Sequence, residues 1–182
     1  MSFRYDIRLS GEGGQGLVLA GRILAEAAAI YDNKNATQSQ SYGPEARGGA
    51  SRSEVIISDE DIDYPKATNL DLLLALTQES CNKYAKDLKE SGILLVDSGV
   101  VTRVPEGKYK VYQVPITDIA RGQLGKAVVA NIVALGIIAR LSNIVSVEAV
   151  EAAVLARVPK GTEDLNLKAF RTGMEVALQL VR

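Results

Sequence analysis

The chain has 182 residues, 47% of them hydrophobic and 24% charged, with a formal net charge of −1. That length suits a single domain with a substantial core, while the near-neutral charge argues against general nucleic-acid or anionic-membrane binding. One cysteine, Cys81, and no histidine leave this chain without the donors for an iron–sulfur cluster, an internal disulfide, or the usual zinc and non-haem iron sites.

Phe3 to Ser10 alternates apolar and polar residues and reads as a first strand. Gly11 to Gly16 is a glycine-rich turn, and a helix is expected from Gln15 to Tyr31 with Leu17, Ala20, Gly21, Leu24, Ala27 and Ala28 on one side. Ala36 to Tyr42 is extended but too polar for a strand buried on both faces. Tyr42 to Ser51 reads as a loop, Arg52 to Ser58 as a strand, and Asp59 to Asn69 as an acidic connection. Leu70 to Leu76 is nearly all apolar, as in a central strand covered on both sides. Thr77 is an expected N-cap for a helix over Gln78 to Glu90, with Gly92 as its stop. Ile93 to Asp97 and Tyr109 to Val114 are further strands, and Ile116 to Leu124 is a short helix.

Lys126 to Leu141 reads as a strongly apolar helix interrupted by Asn131 and Gly136; its richest run, Ala127 to Ile138, is too short to span a membrane. Ser146 opens another helix, with Val147, Val150 and Val154 on one face. It makes no capping box, because Glu148 stands two residues on rather than three. Asp164 to Val181 is a last amphipathic helix. The helices from Lys126 and Ser146 carry more aliphatic side chains than one sheet face needs. An internal helix–helix contact or a subunit interface would each account for them. The N-terminus lacks the long apolar core of a signal peptide, so a cytoplasmic protein is expected.

Alternating helices and short apolar strands predict a three-layer α/β/α single domain over residues 1–182 with a mostly parallel sheet and the glycine turn after its first strand. Ligands of such sheets approach the carboxyl ends of the strands. Here those ends are the glycine turn and Asp97-Ser98-Gly99.

Gly11-Glu12-Gly13-Gly14-Gln15-Gly16 bends sharply and brings amide groups to a helix N-terminus, an arrangement suited to an anion. Its spacing fits the G-x-G-x-x-G pattern, although close helix–strand packing needs the same glycines. No carboxylate follows about twenty positions on to hold a ribose, so a full NAD or FAD site is not expected. A second polar segment runs from Gln38 to Glu54 and contains Tyr42, Arg47, Gly48, Gly49 and Arg52. Its guanidinium groups can face a phosphate or carboxylate or make weak surface ion pairs. Tyr42, Glu45, Asp97 and Ser98 lack the spacing of a nucleophile–base pair, and Asp97-Ser98 reads as a turn and helix-cap device.

These segments carry a resemblance. Gly11-x-Gly13-Gly14-Gln15-Gly16, Ala20-Gly21, Ser41-Tyr42-Gly43-Pro44-Glu45-Ala46-Arg47-Gly48-Gly49 and Ser53-Glu54-Val55 closely resemble the gamma subunit of 2-oxoacid:ferredoxin oxidoreductases. The likeness extends over Leu70 to Leu73, Asp97-Ser98, Asn131 and Gly136. The resemblance implies a complex that decarboxylates a 2-oxoacid oxidatively with coenzyme A and reduces ferredoxin. Thiamine diphosphate, magnesium and [4Fe-4S] clusters are then held by alpha, beta and delta partners, and this chain is inactive alone. It also implies that Gly11, Gly13, Gly14, Gln15, Gly16, Tyr42, Arg47, Gly48 and Gly49 serve coenzyme A positioning or assembly. A chain of this length without a fused delta portion leans towards the 2-oxoglutarate or branched-chain type. The alternative is a stand-alone nucleotide- or phosphate-binding module.

Overall fold

The computed structural model describes residues 2–41 and 50–181. Within them, β1 (Arg4–Glu12), β2 (Asn35–Ser41), β3 (Ala50–Ser58), β4 (Leu70–Ala75), β5 (Leu88–Asp97) and β6 (Lys110–Val114) form one sheet. Its order is β2-β3-β1-β4-β5-β6. β1, β4, β5 and β6 run parallel, whereas β3 is antiparallel to both β1 and β2. The helices are α1 (Leu17–Glu26), α2 (Gln78–Tyr84), α3 (Ile116–Leu124), α4 (Ala130–Ser142), α5 (Val147–Arg157) and α6 (Glu163–Leu180). The α/β class, the mostly parallel sheet and the glycine turn after β1 are as expected from the sequence.

The two faces of the sheet are covered unequally. Ile7, Leu9, Val55, Ile57, Leu72 and Leu74 point into a large apolar core closed by α1, α3, α4, α5 and α6. On the other face Ile56, Leu73, Leu94 and Val96 meet α2 through Cys81 and Tyr84. Alternation along β1 sends Ile7 and Leu9 to the first face and Asp6, Arg8 and Ser10 to the second.

α4 is buried from Ala130 to Ala139. Its surplus aliphatic surface is taken up inside the molecule by α6, the internal contact anticipated above. A Cβ on Gly136 would overlap the Phe170 carbonyl, and one on Gly173 the Val133 carbonyl. The two glycines let these helix backbones touch. Val128 and Leu155 remain exposed beside them.

Three helices differ in their boundaries from the sequence expectation, and the simplest case is α4, expected from Lys126 but starting at Ala130 after a 3₁₀ turn at Ala127–Val129. α1 starts at Leu17 because Gly16 takes φ 73°, and from Ala27 to Tyr31 the helix widens into a π turn. The helix after Thr77 ends at Tyr84, passes through a 3₁₀ turn at Ala85–Asp87, and gives way to β5 from Leu88. Gly92 therefore stops no helix. It lies in β5 where the register against β4 shifts, close to the Leu70 carbonyl. Tertiary contacts override local helix preference here: Asp87 pairs with Arg8, and Lys89 Nζ lies 2.9 Å from Asp71 Oδ1.

Candidate functional site

At the carboxyl end of β1, Gly11 and Glu12 still pair with Ser51 and Ala50. The turn proper is Gly13 to Gly16. Gln15 folds back so that its Oε1 accepts the Glu12 N–H at 2.8 Å. That carbonyl occupies the space a Cβ on Gly11 would need, so Gly11 and Gln15 are matched parts of one bend. Gly14 has φ 89° and Gly16 φ 73°, a region that favours glycine. Gly13 has open space where a Cβ would stand.

Gly16 is the N-cap of α1, without a side-chain cap and with no acidic residue in the first turn. The positive end of the helix dipole is thus neither capped nor neutralised by a nearby carboxylate of its own helix. Asn131, at the start of α4, donates from Nδ2 to the Gly16 carbonyl at 3.1 Å, while its Oδ1 accepts the Ile132 N–H at 3.0 Å. A side chain at Gly16 would displace it. Asn131, read from sequence as an interruption of the apolar helix, is therefore the strut that joins α4 to the turn.

A cavity of about 220 Å³ opens beside this bend, lined by Gly14, Gly16, Leu19, Lys126, Val128 and Leu165 among others. Lys126 supplies a positive charge, and Leu19, Val128 and Leu165 an apolar wall. A phosphate joined to an apolar arm matches that combination. Of the expected site residues, Gly14 and Gly16 line this cavity, while Gly11, Gly13 and Gln15 belong to the bend beside it. Tyr42, Arg47, Gly48 and Gly49 lie outside the described residues, as does Glu45.

Asp97 closes a neighbouring strand end. It is 1% exposed. Oδ1 accepts the Gly99 N–H at 3.1 Å, and Oδ2 accepts the Thr117 N–H at 3.2 Å and the Thr117 hydroxyl at 2.6 Å. The carboxylate ties β5 to α3, the turn-and-cap duty anticipated for it. Ser98 donates its backbone N–H to the Val114 carbonyl.

On the opposite face of the sheet lies a polar cluster that sequence reasoning missed. Arg8 is 4% exposed. Its Nη1 donates to Asp87 Oδ2 at 2.6 Å and its Nη2 to the Ala67 carbonyl at 2.8 Å. Glu54 Oε2 stands 3.5 Å away, and the guanidinium carbon lies 4.9 Å from the Tyr84 ring centre. The signal was the alternation of β1, which placed Arg8 with Asp6 and Ser10. What it lacked was knowledge that α2 would cover that side. Cys81, on the buried side of α2, is wholly enclosed, and burial pushes its thiol pKa up. It behaves as an apolar packing residue rather than a nucleophile.

Comparison with known proteins identifies the family. Residues 6–176 match the pyruvate ferredoxin/flavodoxin oxidoreductase family. The chain is 55% identical to 2-oxoglutarate synthase subunit KorC of Methanocaldococcus jannaschii, covering 99% of this chain and 97% of the relative. The crystal structure of a keto/oxoacid ferredoxin oxidoreductase gamma subunit from Geobacter sulfurreducens is 58% identical, with a TM-score of 0.91 over 97% of this chain and 98% of that one. The fold recurs with a TM-score of 0.85 and 24% identity in the 2-oxoglutarate:ferredoxin oxidoreductase of Magnetococcus marinus, solved with 2-oxoglutarate, coenzyme A and succinyl-CoA bound. There the match covers 97% of this chain but 31% of the longer one. This chain belongs to the pyruvate ferredoxin/flavodoxin oxidoreductase family, as the gamma subunit of a 2-oxoacid:ferredoxin oxidoreductase.

Proposed function

We propose that this gamma subunit serves a complex whose 2-oxoacid is 2-oxoglutarate, and that its glycine turn helps position coenzyme A. The observation that supports the substrate most strongly is 55% identity, end to end, to a 2-oxoglutarate synthase subunit. Alpha, beta and delta chains complete the assembly in the cytoplasm, and ferredoxin receives the electrons from those partners. No helix among the described residues is long and apolar enough to cross a membrane.

The chemistry of the donor set supports this division of labour. The chain offers one thiol, buried, and no imidazole, and so does not fit a cluster or the usual iron site. Thiamine diphosphate with magnesium and the [4Fe-4S] clusters, in the partner chains, supply decarboxylation and electron transfer. This chain's residues bind and orient. Amide groups of Gly13, Gly14 and Gln15 face an anion at the start of α1, Lys126 adds a charge, and Leu19, Val128 and Leu165 line the apolar arm. The family resemblance gives Tyr42, Arg47, Gly48 and Gly49 a share in the same coenzyme A contact, with the Arg47 guanidinium suited by its chemistry to a phosphate.

Reconstitution with the alpha, beta and delta chains tests this reading. Ferredoxin reduction is measured with 2-oxoglutarate, pyruvate and 2-oxoisovalerate, with and without this subunit. The expected result is coenzyme A-dependent turnover that needs this chain and prefers 2-oxoglutarate. Preference for another 2-oxoacid contradicts the substrate assignment. Full turnover without this chain contradicts its role. Turnover by this chain alone contradicts the whole division.

A further inference from the structure

We propose that the polar cleft on the α2 face of the sheet binds a small oxyanion, a phosphate monoester or a carboxylate, through Arg52. This site is separate from the glycine turn and does not depend on the coenzyme A reading. The cleft has a volume of about 410 Å³ and shares no lining residue with the cavity beside the turn. That is within the size range of small-molecule sites.

Among the described residues its charges do not balance. Arg8, Arg52 and Lys66 line it against Glu54 and Asp87, three cations to two carboxylates. Arg8 is internally committed, since Asp87, the Ala67 carbonyl, Glu54 and the Tyr84 ring all hold its guanidinium. Arg52 is not. Its Nε lies 3.1 Å from Glu54 Oε1 and its guanidinium carbon 5.5 Å from the same Tyr84 ring centre. Its two terminal nitrogens have no hydrogen-bond partner among the described residues, and the side chain is 32% exposed. The Tyr84 ring and the Glu54 ion pair hold the guanidinium in place, although its buried Nε–H makes no hydrogen bond among the described residues, and the edge with the terminal nitrogens is open. That is the preorganised fork that carboxylates and phosphates take in bidentate fashion.

The surroundings supply the rest of a binding site. Ser39 and Ser41 from the edge strand β2, and Thr68 before β4, bring hydroxyls to the rim. None of the three makes a side-chain hydrogen bond to another described residue. Arg8, buried beside Arg52 on the same ring, raises the local positive potential. Two guanidinium groups crowded on one aromatic ring repel each other, and the two carboxylates offset this only in part. A bound oxyanion restores the balance.

The test uses the full chain with ¹⁵N-labelled arginine. The Nε–H resonance of Arg52 is followed while inorganic phosphate or succinate is added, with sodium chloride as the ionic-strength control. The expected result is a saturable shift at millimolar anion for at least one of the two, beyond that given by chloride. Phosphate alone identifies a phosphate site; succinate alone identifies a carboxylate site. Arg52→Gln is expected to weaken binding by at least about tenfold, while Gly13→Asp leaves it unchanged. Absence of saturation with both anions overturns the proposal. So does binding that survives Arg52→Gln and is lost in Gly13→Asp, because the anion then sits at the glycine turn. Arg52 is chosen because it is partly exposed. Should Arg52→Gln nevertheless unfold the chain, Arg52→Lys keeps the charge without the fork and is expected to lose most of the affinity.

Discussion

The two faces of the sheet are built on opposite terms. Five helices close one face over an apolar core, with α4 buried along most of its length and seated on α6 through a glycine–glycine crossing. Among the described residues the other face carries one seven-residue helix, a buried arginine and an open charged cleft. The first face holds the fold and contributes the apolar wall of the cavity beside the glycine turn. The second gives up apolar burial and keeps charged groups in fixed positions, the usual condition of a binding surface. The glycine turn sits at the carboxyl end of the strand between them.

Truncation in the helix-rich face sharpens this contrast most. Phe170 is fully buried between α6 and α4, so Phe170→Ala should cost about 4 kcal/mol in chemical denaturation. A loss close to that of a surface change would break the comparison. Gly136→Ala comes next. The added methyl meets backbone rather than a movable side chain, and about 3 kcal/mol is expected from overpacking in the same measurement.

The apolar framework was legible in the sequence because periodicity records burial. Leu17, Ala20, Leu24, Ala27 and Ala28 fell on one helix face and are all buried. Leu70 to Leu76 read as a central strand, and β4 (Leu70–Ala75) lies between β1 and β5. Ser146 read as the opening of a helix without a capping box, and it is that helix's N-cap, its Oγ accepting the Ala149 N–H at 3.1 Å. What pattern could not show were long-range matches. Arg8 finds Asp87 across 79 residues, Asn131 finds Gly16 across 115, and the Lys89–Asp71 pair draws Leu88 into a strand where local preference favoured a helix. The glycine half of the candidate site was legible because positive φ leaves a glycine signature. The cleft around Arg52 was not, because its parts come from five separate segments.

Smaller effects are expected where the structure assigns local duties. Ser146→Ala should cost about 1 kcal/mol by removing the α5 cap. Arg52→Gln should change stability by less than about 1 kcal/mol, since its partner Glu54 keeps contact with Arg8 and the ion pair is partly exposed. If Arg52→Gln destabilised more than Gly136→Ala, the polar face would be a structural one.

The smallest effect concerns pH. Burial raises the pKa of both Cys81 and Tyr5, so the native state favours their neutral forms. The unfolded chain releases those protons first. Stability from these groups is full below the ordinary thiol pKa of about 8.5 and falls as pH rises above it. Cys81→Ala should flatten the first part of that decline in denaturation curves taken across alkaline pH.

The glycine turn remains the feature on which the functional account rests, and kinetics of the reconstituted complex carrying Gly13→Asp address it most directly. Gly13 has room for a side chain and no positive φ, so the change places a negative charge at the turn without disturbing the bend. The apparent KM for coenzyme A is predicted to rise by about tenfold, with kcat and subunit assembly retained. An unchanged KM for coenzyme A in an intact complex would contradict the role assigned to the turn.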